Sequence, residues 1–272
     1  MSRVRIEDIE IGTPAYTDGA PRCEATCSPP PVEGMEWYPP VMVGADSLYA
    51  DLVGNSAEHV RAALALLERL EADAYSDYIT AFYRRGLERY GEAWRYADLV
   101  TAVMVTGRWL KPKSYLEIGV RRGRSVCAMA QVAPDCDFAM FDMWMQDYAG
   151  MPNPGQDLVK SELDKVGHRG RREFIDGDSH QTLKAYFAAN PGAFFDVINV
   201  DGDHTIPGAA EDLVDVLPRL KVGGVILFDD VSNPNDPGLN EVWKRIVADD
   251  TRFSAATFDS VGYGVGLAVR KI

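Results

Sequence analysis

The chain has 272 residues and a hydrophobic share of 46%, enough for one large catalytic domain with an appended segment and a sizeable core. Its 41 Asp and Glu outnumber 28 Lys and Arg, a formal net charge of −13, and such a surface repels phosphate backbones and anionic lipid, so nucleic acid and membranes are not expected as partners. No apolar run reaches the roughly 20 residues of a membrane span, and the opening MSRVRIEDIEIG lacks the apolar core of a secretory signal, so a cytoplasmic protein is expected.

From Met1 to about Gly54 the chain is rich in Pro, Gly and short polar residues and reads as an irregular arm or lid. Cys23 and Cys27 lie there as C-x3-C, a spacing that holds a metal only if two more ligands arrive from elsewhere. With Cys127 and Cys136 the total is four cysteines, too few and too unevenly placed for a disulfide framework; Cys127 falls in an apolar helix pattern and reads as core. Ser56 can cap a helix carrying Val60, Ala63, Leu64, Leu67 and Leu70 at helical spacing. Further helical patterns run from about Ala74 to Arg89 and from about Trp94 to Leu110. Residues 1–95 are therefore expected to form an arm and helical cap, and residues 96–272 the catalytic domain.

From Ser114 onward short apolar runs alternate with amphipathic stretches, the pattern of βαβ units and a parallel sheet. Strands are predicted at 114–120, 137–143, 172–178, 195–203 and 223–230, with helices at about 124–132, 157–166, 179–189 and 208–220. The ending FSAATFDSVGYGVGLAVRKI reads as two adjoining strands around a Gly-containing turn. The predicted fold is α/β, a Rossmann-like, doubly wound, seven-stranded mixed sheet with a C-terminal antiparallel hairpin.

Ligands of such sheets bind beyond the carboxyl ends of the strands. After the first strand, EIGVRRGRS places Glu117 at the strand end and Gly119 and Gly123 in a tight turn into a helix, where the backbone can approach a ligand and the helix N-terminus can face an anionic group. The spacing G-x-x-x-G with a preceding acid departs from G-x-G-x-x-G and favours S-adenosylmethionine over a dinucleotide. Asp142 ends the second strand, about 20 residues on, where a carboxylate can accept from ribose hydroxyls. Asp178 and Ser179 follow the third strand, placed either to contact an adenine or simply to cap the next helix.

Asp201, Asp203 and His204 follow the fourth strand and Asp229 and Asp230 the fifth. Carboxylates converging in this way repel one another unless protons or a cation intervene. Their oxygens favour a hard ion such as magnesium, calcium or manganese, for which Asp201, Asp229 and Asp230 supply three ligands. His204 is then in reach of a substrate hydroxyl as general base, while Asp203 and His204 read alternatively as loop decoration. His59, His168 and His180 fall in helices or polar loops, are taken to be without acidic company, and read as surface residues.

Taken together these residues resemble the metal-dependent class I methyltransferases over the stretch from about Ser114 to the C-terminus. LEIGVRRGRSVCAMA is similar to the first motif of the catechol O-methyltransferase type. The resemblance implies Glu117, Gly119, Gly123 and Ser125 as S-adenosylmethionine contacts, Asp142 on the ribose, Asp178 and Ser179 near the adenine, Asp201 touching both cofactor and metal, and Asp229 and Asp230 completing a magnesium site. Catechol enzymes carry lysine as base and an Asp-Asn pair. Histidine with two acids is closer to the sugar O-methyltransferases that tailor macrolides and other antibiotics, so a hydroxylated small molecule, specifically a sugar moiety, is the expected acceptor.

Competing readings are a metal-independent methyltransferase on nitrogen or a carboxyl, and a nucleotide-cofactor oxidoreductase; the G-x-x-x-G spacing and terminal hairpin argue against the latter. Trp144, Met145, Tyr148 and Met151, in the loop at 142–155, either wall the acceptor or pack cap helices on the sheet. A Pro-rich arm with cap helices suits a contact across subunits, so a homo-oligomer is expected.

Overall fold

A computed structural model of the chain describes residues 12–26, 41–147 and 150–272. Four helices come first, α1 (Ala45–Gly54), α2 (Ser56–Leu67), α3 (Ala74–Tyr90) and α4 (Leu99–Leu110). Then β1 (Ser114–Ile118), α5 (Arg124–Val132), β2 (Asp137–Asp142), α6 (Gln156–Lys165), β3 (Arg172–Asp176), α7 (Ser179–Ala189), β4 (Phe195–Val200), α8 (Ile206–Val216) and β5 (Leu220–Asp229) alternate. A short α9 (Gly238–Trp243), extended by a π turn over Lys244–Ala248, precedes the hairpin of β6 (Phe253–Phe258) and β7 (Val265–Arg270).

The seven strands form one sheet in the order β3-β2-β1-β4-β5-β7-β6. The first five are parallel, and β7 runs antiparallel between β5 and β6. The order reverses between β1 and β4, which opens a crevice beyond their carboxyl ends. All six residues of β4 are buried, as expected of a parallel strand covered on both faces. Its alternate side chains feed two cores: Val197 packs with α1, α2, α4 and α5 residues such as Leu48, Val60, Met104 and Met129, and Ile198 with Leu183, Leu213 and Trp243 of α7, α8 and α9.

The mixed seven-stranded sheet and terminal hairpin match the sequence expectation, and several local readings need correction. The stretch up to Gly54 contains α1, whose Ala45, Leu48 and Leu52 are buried at helical spacing; ten residues after a Pro-rich run leave little periodicity to detect. Ser56 does not cap α2. Asn55 stands at that position, and the Ser56 hydroxyl instead donates to the Val53 carbonyl at 2.6 Å and accepts from the Tyr96 N–H at 3.0 Å. Helix α4 starts at Leu99, five residues later than the pattern suggested, because Asp98 and Thr101 form a capping box. Trp94 and Tyr96 stack at 5.0 Å instead, in an aromatic cluster with Phe82 and Phe258. The segment before β6 holds α9 where no helix was expected, its Leu239, Val242 and Trp243 buried.

His59, His168 and His180 are not surface residues. His59 is buried and meets the Asp51 carbonyl at 3.1 Å, and His168 is buried, bonded to the Cys136 carbonyl at 2.7 Å and stacked 4.1 Å from Phe138. His180 is half-buried, 3.3 Å from Asp178 and 3.6 Å from Asp212. Their partners are 8 to 32 residues away in the chain for His59, His168 and the His180–Gly208 contact, beyond the reach of any local pattern. Cys23, Cys127 and Cys136 are buried free thiols; Cys23 N–H donates to the Val222 carbonyl at 2.9 Å and fastens its segment to the start of β5. Cys27 lies outside the described residues. Among the described residues no helix is long and apolar enough to cross a membrane.

The N-terminal helices are joined to the sheet by close packing. Gly86 of α3 lies so near Trp94 that a Cβ there would stand 2.1 Å from the indole ring, and that ring is held by Phe82, Tyr90 and Tyr96. Gly86→Ala should therefore lose more by overpacking, about 1–3 kcal/mol, than it gains in helix propensity, about 1 kcal/mol. A thermal scan should show a lower Tm; a Tm at or above that of the wild type would mean that the aromatic cluster yields.

Candidate active site

A cavity of about 940 Å³ opens beyond the carboxyl ends of β1, β2, β4 and β5, where the reversal of strand order places ligand sites. Its size suits a cofactor and a small acceptor together.

The turn after β1 forms one wall. Gly119, at φ +86°, packs so tightly on the loop after β4 that a Cβ would stand 1.7 Å from the Asp201 carbonyl oxygen. The close backbone approach expected at this glycine is thus made to the chain itself. Gly123, at φ +72°, begins α5 in the left-handed conformation. Ser125 lines the cavity, while Glu117 and Gly123 stand behind the lining. Glu117 is fully buried; its carboxylate accepts from the Ser125 hydroxyl at 2.5 Å and from the Tyr115 hydroxyl. Burial pushes the carboxyl up to about 8, against the pull of those two hydrogen bonds.

Asp142 at the end of β2 lines the cavity and ties two loops together, Oδ2 accepting from Arg121 N–H at 2.6 Å and Oδ1 from Trp144 N–H at 2.5 Å. Each oxygen keeps a second lone pair for a ligand hydroxyl. Asp178 both caps α7, accepting from His180 N–H at 3.0 Å, and lines the cavity beside Ser179. The Ser179 hydroxyl is directed to Asp212 of α8, which is fully buried. Asp203 accepts from Thr205 N–H at 2.7 Å and so serves the turn into α8.

Asp201, His204, Asp229 and Asp230 do come together. His204 Nε2 lies 3.4 Å from Asp201 Oδ1 and its Nδ1 3.6 Å from Asp230 Oδ2. The Asp201 hydrogen bond, with the charges of Asp201 and Asp230, pushes the imidazole up to about 9 against its partial burial. Burial pushes Asp201 up, and burial with repulsion from Asp201 pushes Asp229 up and takes Asp230 to about 6. Asp230 has φ +59°, a strained conformation for a residue with a Cβ, stabilised by Asn233, whose side chain donates to its carboxylate at 3.1 Å.

Three carboxylates at two neighbouring strand ends are the right donors for a hard divalent cation. The side chains as they stand do not form a ligand shell: among the described residues no group of three or more His, Cys, Asp and Glu is placed to hold a metal. The imidazole supplies the positive charge between Asp201 and Asp230 instead.

Sequence reasoning missed the groups that reach the cavity from outside the strand ends. Tyr75 enters from α3, and Asn233, Asn235, Asp236 and Tyr263 from the segments after β5 and before β7. The stretch SNPNDPG after a ligand-bearing strand was a signal for the first of these segments; nothing local marks Tyr75. In the loop at 142–155, Met145 and Met151 line the cavity, whereas Trp144 packs near Phe174 and donates to Asp176 at 2.7 Å. Tyr148 lies outside the described residues.

Residues 116–231 match a family described as a methyltransferase domain. No curated protein resembles the chain closely enough in sequence to count as a match. Among solved structures, the O-methyltransferase TomG from Streptomyces achromogenes, involved in tomaymycin synthesis and in complex with S-adenosylmethionine, is similar at 20% identity and a TM-score of 0.50, over 84% of this chain and 96% of that one. The S-adenosylhomocysteine-bound Podospora anserina methyltransferase PaMTH1 is 20% identical over 80% of this chain and 96% of its own, with a TM-score of 0.49. CalS11, a calicheamicin methyltransferase, is 21% identical over 78% and 91%, also at 0.49. At 20% identity the likeness to TomG is one of fold alone.

The buried Glu117 has a consequence for stability. A carboxyl whose folded pKa is raised from 4.5 to about 8 costs the folded state progressively more as pH rises between those values. In ligand-free protein the Tm of Glu117→Gln relative to wild type should therefore climb from about pH 5 to about pH 8 and level off above. A difference flat across that range would mean that Glu117 is ionised throughout.

Proposed function

We propose that this chain is an S-adenosylmethionine-dependent O-methyltransferase that uses a divalent metal, magnesium in the first instance, to methylate a hydroxyl of a small molecule. The observation that carries the reading is the group formed by Asp201, His204, Asp229 and Asp230 at the ends of β4 and β5, beside the glycine turn and Asp142 in one cavity. The match of residues 116–231 to a methyltransferase domain supports the reaction class.

In this reading Gly119, Gly123, Ser125 and Asp201 hold the methionine end of the cofactor, with Glu117 bracing Ser125 from behind. Asp142 takes the ribose, and Asp178 and Ser179 flank the adenine. Asp201, Asp229 and Asp230 would hold the cation. When bound, the cofactor supplies an electrophilic methyl group and the cation lowers the pKa of a nearby acceptor hydroxyl.

His204 is the general base. Held near 9 by its carboxylates, it is cationic at neutral pH and accepts no proton from the acceptor. It becomes a base once another positive charge occupies the acidic cluster and draws its pKa down. Met145 and Met151 with Tyr75 and Tyr263 offer the acceptor an apolar rim around an acidic floor, which suits a glycosylated natural product with the methylated hydroxyl on its sugar. The division at about residue 95 into an arm and helical cap, for closure or subunit contact, and a methyltransferase domain belongs to the same proposal.

A second reading is favoured by the posed side chains, which place an imidazolium rather than a ligand shell among the acids. It is methyl transfer without a metal, with Asp201 and His204 as a charged pair.

Calorimetric titration of S-adenosylhomocysteine and of magnesium into wild type, Asp201→Ala and Asp229→Ala decides. The expected result is nucleoside binding by wild type and a magnesium signal lost in both variants. Absence of nucleoside binding by wild type would overturn the proposal, and nucleoside binding with no magnesium signal would leave the second reading. With an acceptor in hand, His204→Gln should lower kcat by about 10²–10⁴, measured by methyl transfer from labelled S-adenosylmethionine.

A further inference from the structure

Two arginines flank Gly123 in the turn after β1, and both reach out of the methyltransferase domain to one carboxylate of the cap. Arg124 Nη2 stands 2.5 Å from Asp73 Oδ1 and Arg122 Nε 3.3 Å from Asp73 Oδ2. Arg122 Nη2 also lies 3.1 Å from Glu71. The side chains of Arg122, Arg124 and Asp73 are only 7%, 13% and 12% exposed, so the charges meet largely out of water. Removing one partner of such a group leaves the others uncompensated. Asp73 Oδ2 and Arg122 Nε are each buried without a hydrogen bond although they face one another. Their attraction is ionic and sensitive to small shifts of the turn.

Asp73 has a second duty. It is the N-cap of α3 and forms a capping box with Ser76, accepting from Ser76 N–H at 2.8 Å. Burial works against its ionised form, yet the Ser76 N–H and the Arg124 guanidinium hold the carboxyl down at about 2, so it is charged at every working pH. On the other side, Arg121 sits at φ +51° and gives its N–H to Asp142. The segment Gly119–Arg124 thus packs at one end against the Asp201 carbonyl at Gly119, is bonded in the middle to Asp142 through Arg121, and is tied at the far end to the cap through Asp73. Arg124 lies 5.0 Å over the ring of Tyr75, so the same anchor also sets the cap residue that lines the cavity.

We infer that Asp73 is a positioning residue for the cofactor turn, holding Arg122 and Arg124 on either side of Gly123 so that the cap and the cofactor site are energetically one unit. This rests on the reading above that the turn holds the methionine end of S-adenosylmethionine. Asp73 then sets cofactor affinity from outside the lining of the cavity.

The test is calorimetric titration of S-adenosylhomocysteine into wild type, Asp73→Asn, Arg124→Gln and the double variant, with a thermal scan of each. Asparagine is as good an N-cap as aspartate, so Asp73→Asn keeps α3 and removes only the charge. Arg124→Gln breaks the pair from the other side should Asp73→Asn fail to fold. The expected result is a Kd raised roughly 5- to 150-fold in each single variant, the usual span of coupling between sites, with the double variant no weaker than the worse single one. Asp196→Asn serves as control: Asp196 accepts from the N–H groups of Lys113 and Ser114 at the opposite ends of the strands, and its loss should lower Tm and leave Kd unchanged. Wild-type affinity in both single variants would overturn the inference alone. So would an equal loss in Asp196→Asn, which would make the effect general instability. No binding by wild type would overturn the cofactor reading and this inference with it.

Discussion

Like charges crowded at the ends of two neighbouring strands are the constraint on which the rest of this molecule turns. Asp201 directly follows β4, Asp229 is the last residue of β5 and Asp230 directly follows it; the parallel register that pairs Val200 with Phe228 makes their nearness unavoidable. Carboxylates in that position must be protonated, paired or bound to a cation. The structure meets the demand with His204, drawn between Asp201 and Asp230, and with the turn from Asp230 to Asn233, where a left-handed residue and an asparagine side chain absorb part of the repulsion. Titratable groups with perturbed pKa values converging in a cleft are a common mark of functional sites, and this cluster lies in the cavity beyond the strand ends.

Around that centre the fold supplies contributions from distant parts of the chain. The parallel sheet aligns Gly119 against Asp201 and sets Asp142 one strand further out. The cap delivers Tyr75 from above, and the segments around the terminal hairpin deliver Tyr263 and Asn233. The two cores behind the site differ in role: one joins the cap helices to the sheet, and the other holds α7, α8 and α9 on the opposite face. Helix α8 carries a buried carboxylate, Asp212, that meets the Ser179 hydroxyl, so the loops after β3 and β4 are linked beneath the cavity.

What could be read from residues alone divides along a physical line. The alternation of apolar runs and amphipathic stretches is local, and so are the acids and glycines that close each run; the sheet, its hairpin and the strand-end positions of Asp142, Asp201, Asp229 and Asp230 were therefore legible. Pairings across large separations leave no period. The burial of His59 and His168, the Trp94 cluster, the tie from Asp73 to Arg122 and Arg124, and the presence of Tyr75 at the cavity all depend on which helices meet, and no spacing in the sequence records that. Glu117 is intermediate. Its place at a strand end was plain, but its inward direction, towards Tyr115 and Ser125, follows from the pleat of β1 and the packing of α5.

The position of β7 has a bearing on how the protein comes into being. Its residues, 265–270, lie inside the sheet, bonded to β5 on one side and β6 on the other, yet they follow every element they brace in chain order. While the chain is being made, β5 must wait with an open edge, and Asp229, paired with Val265, lacks its neighbour until the ribosome has passed the last strand. The nascent chain therefore holds an unfinished sheet for the whole of its synthesis up to that point, a period in which an unpaired apolar edge invites contact with other chains. The edge of β5 beside Asp229 is thus covered only once β7 has been made, after every element that β7 braces.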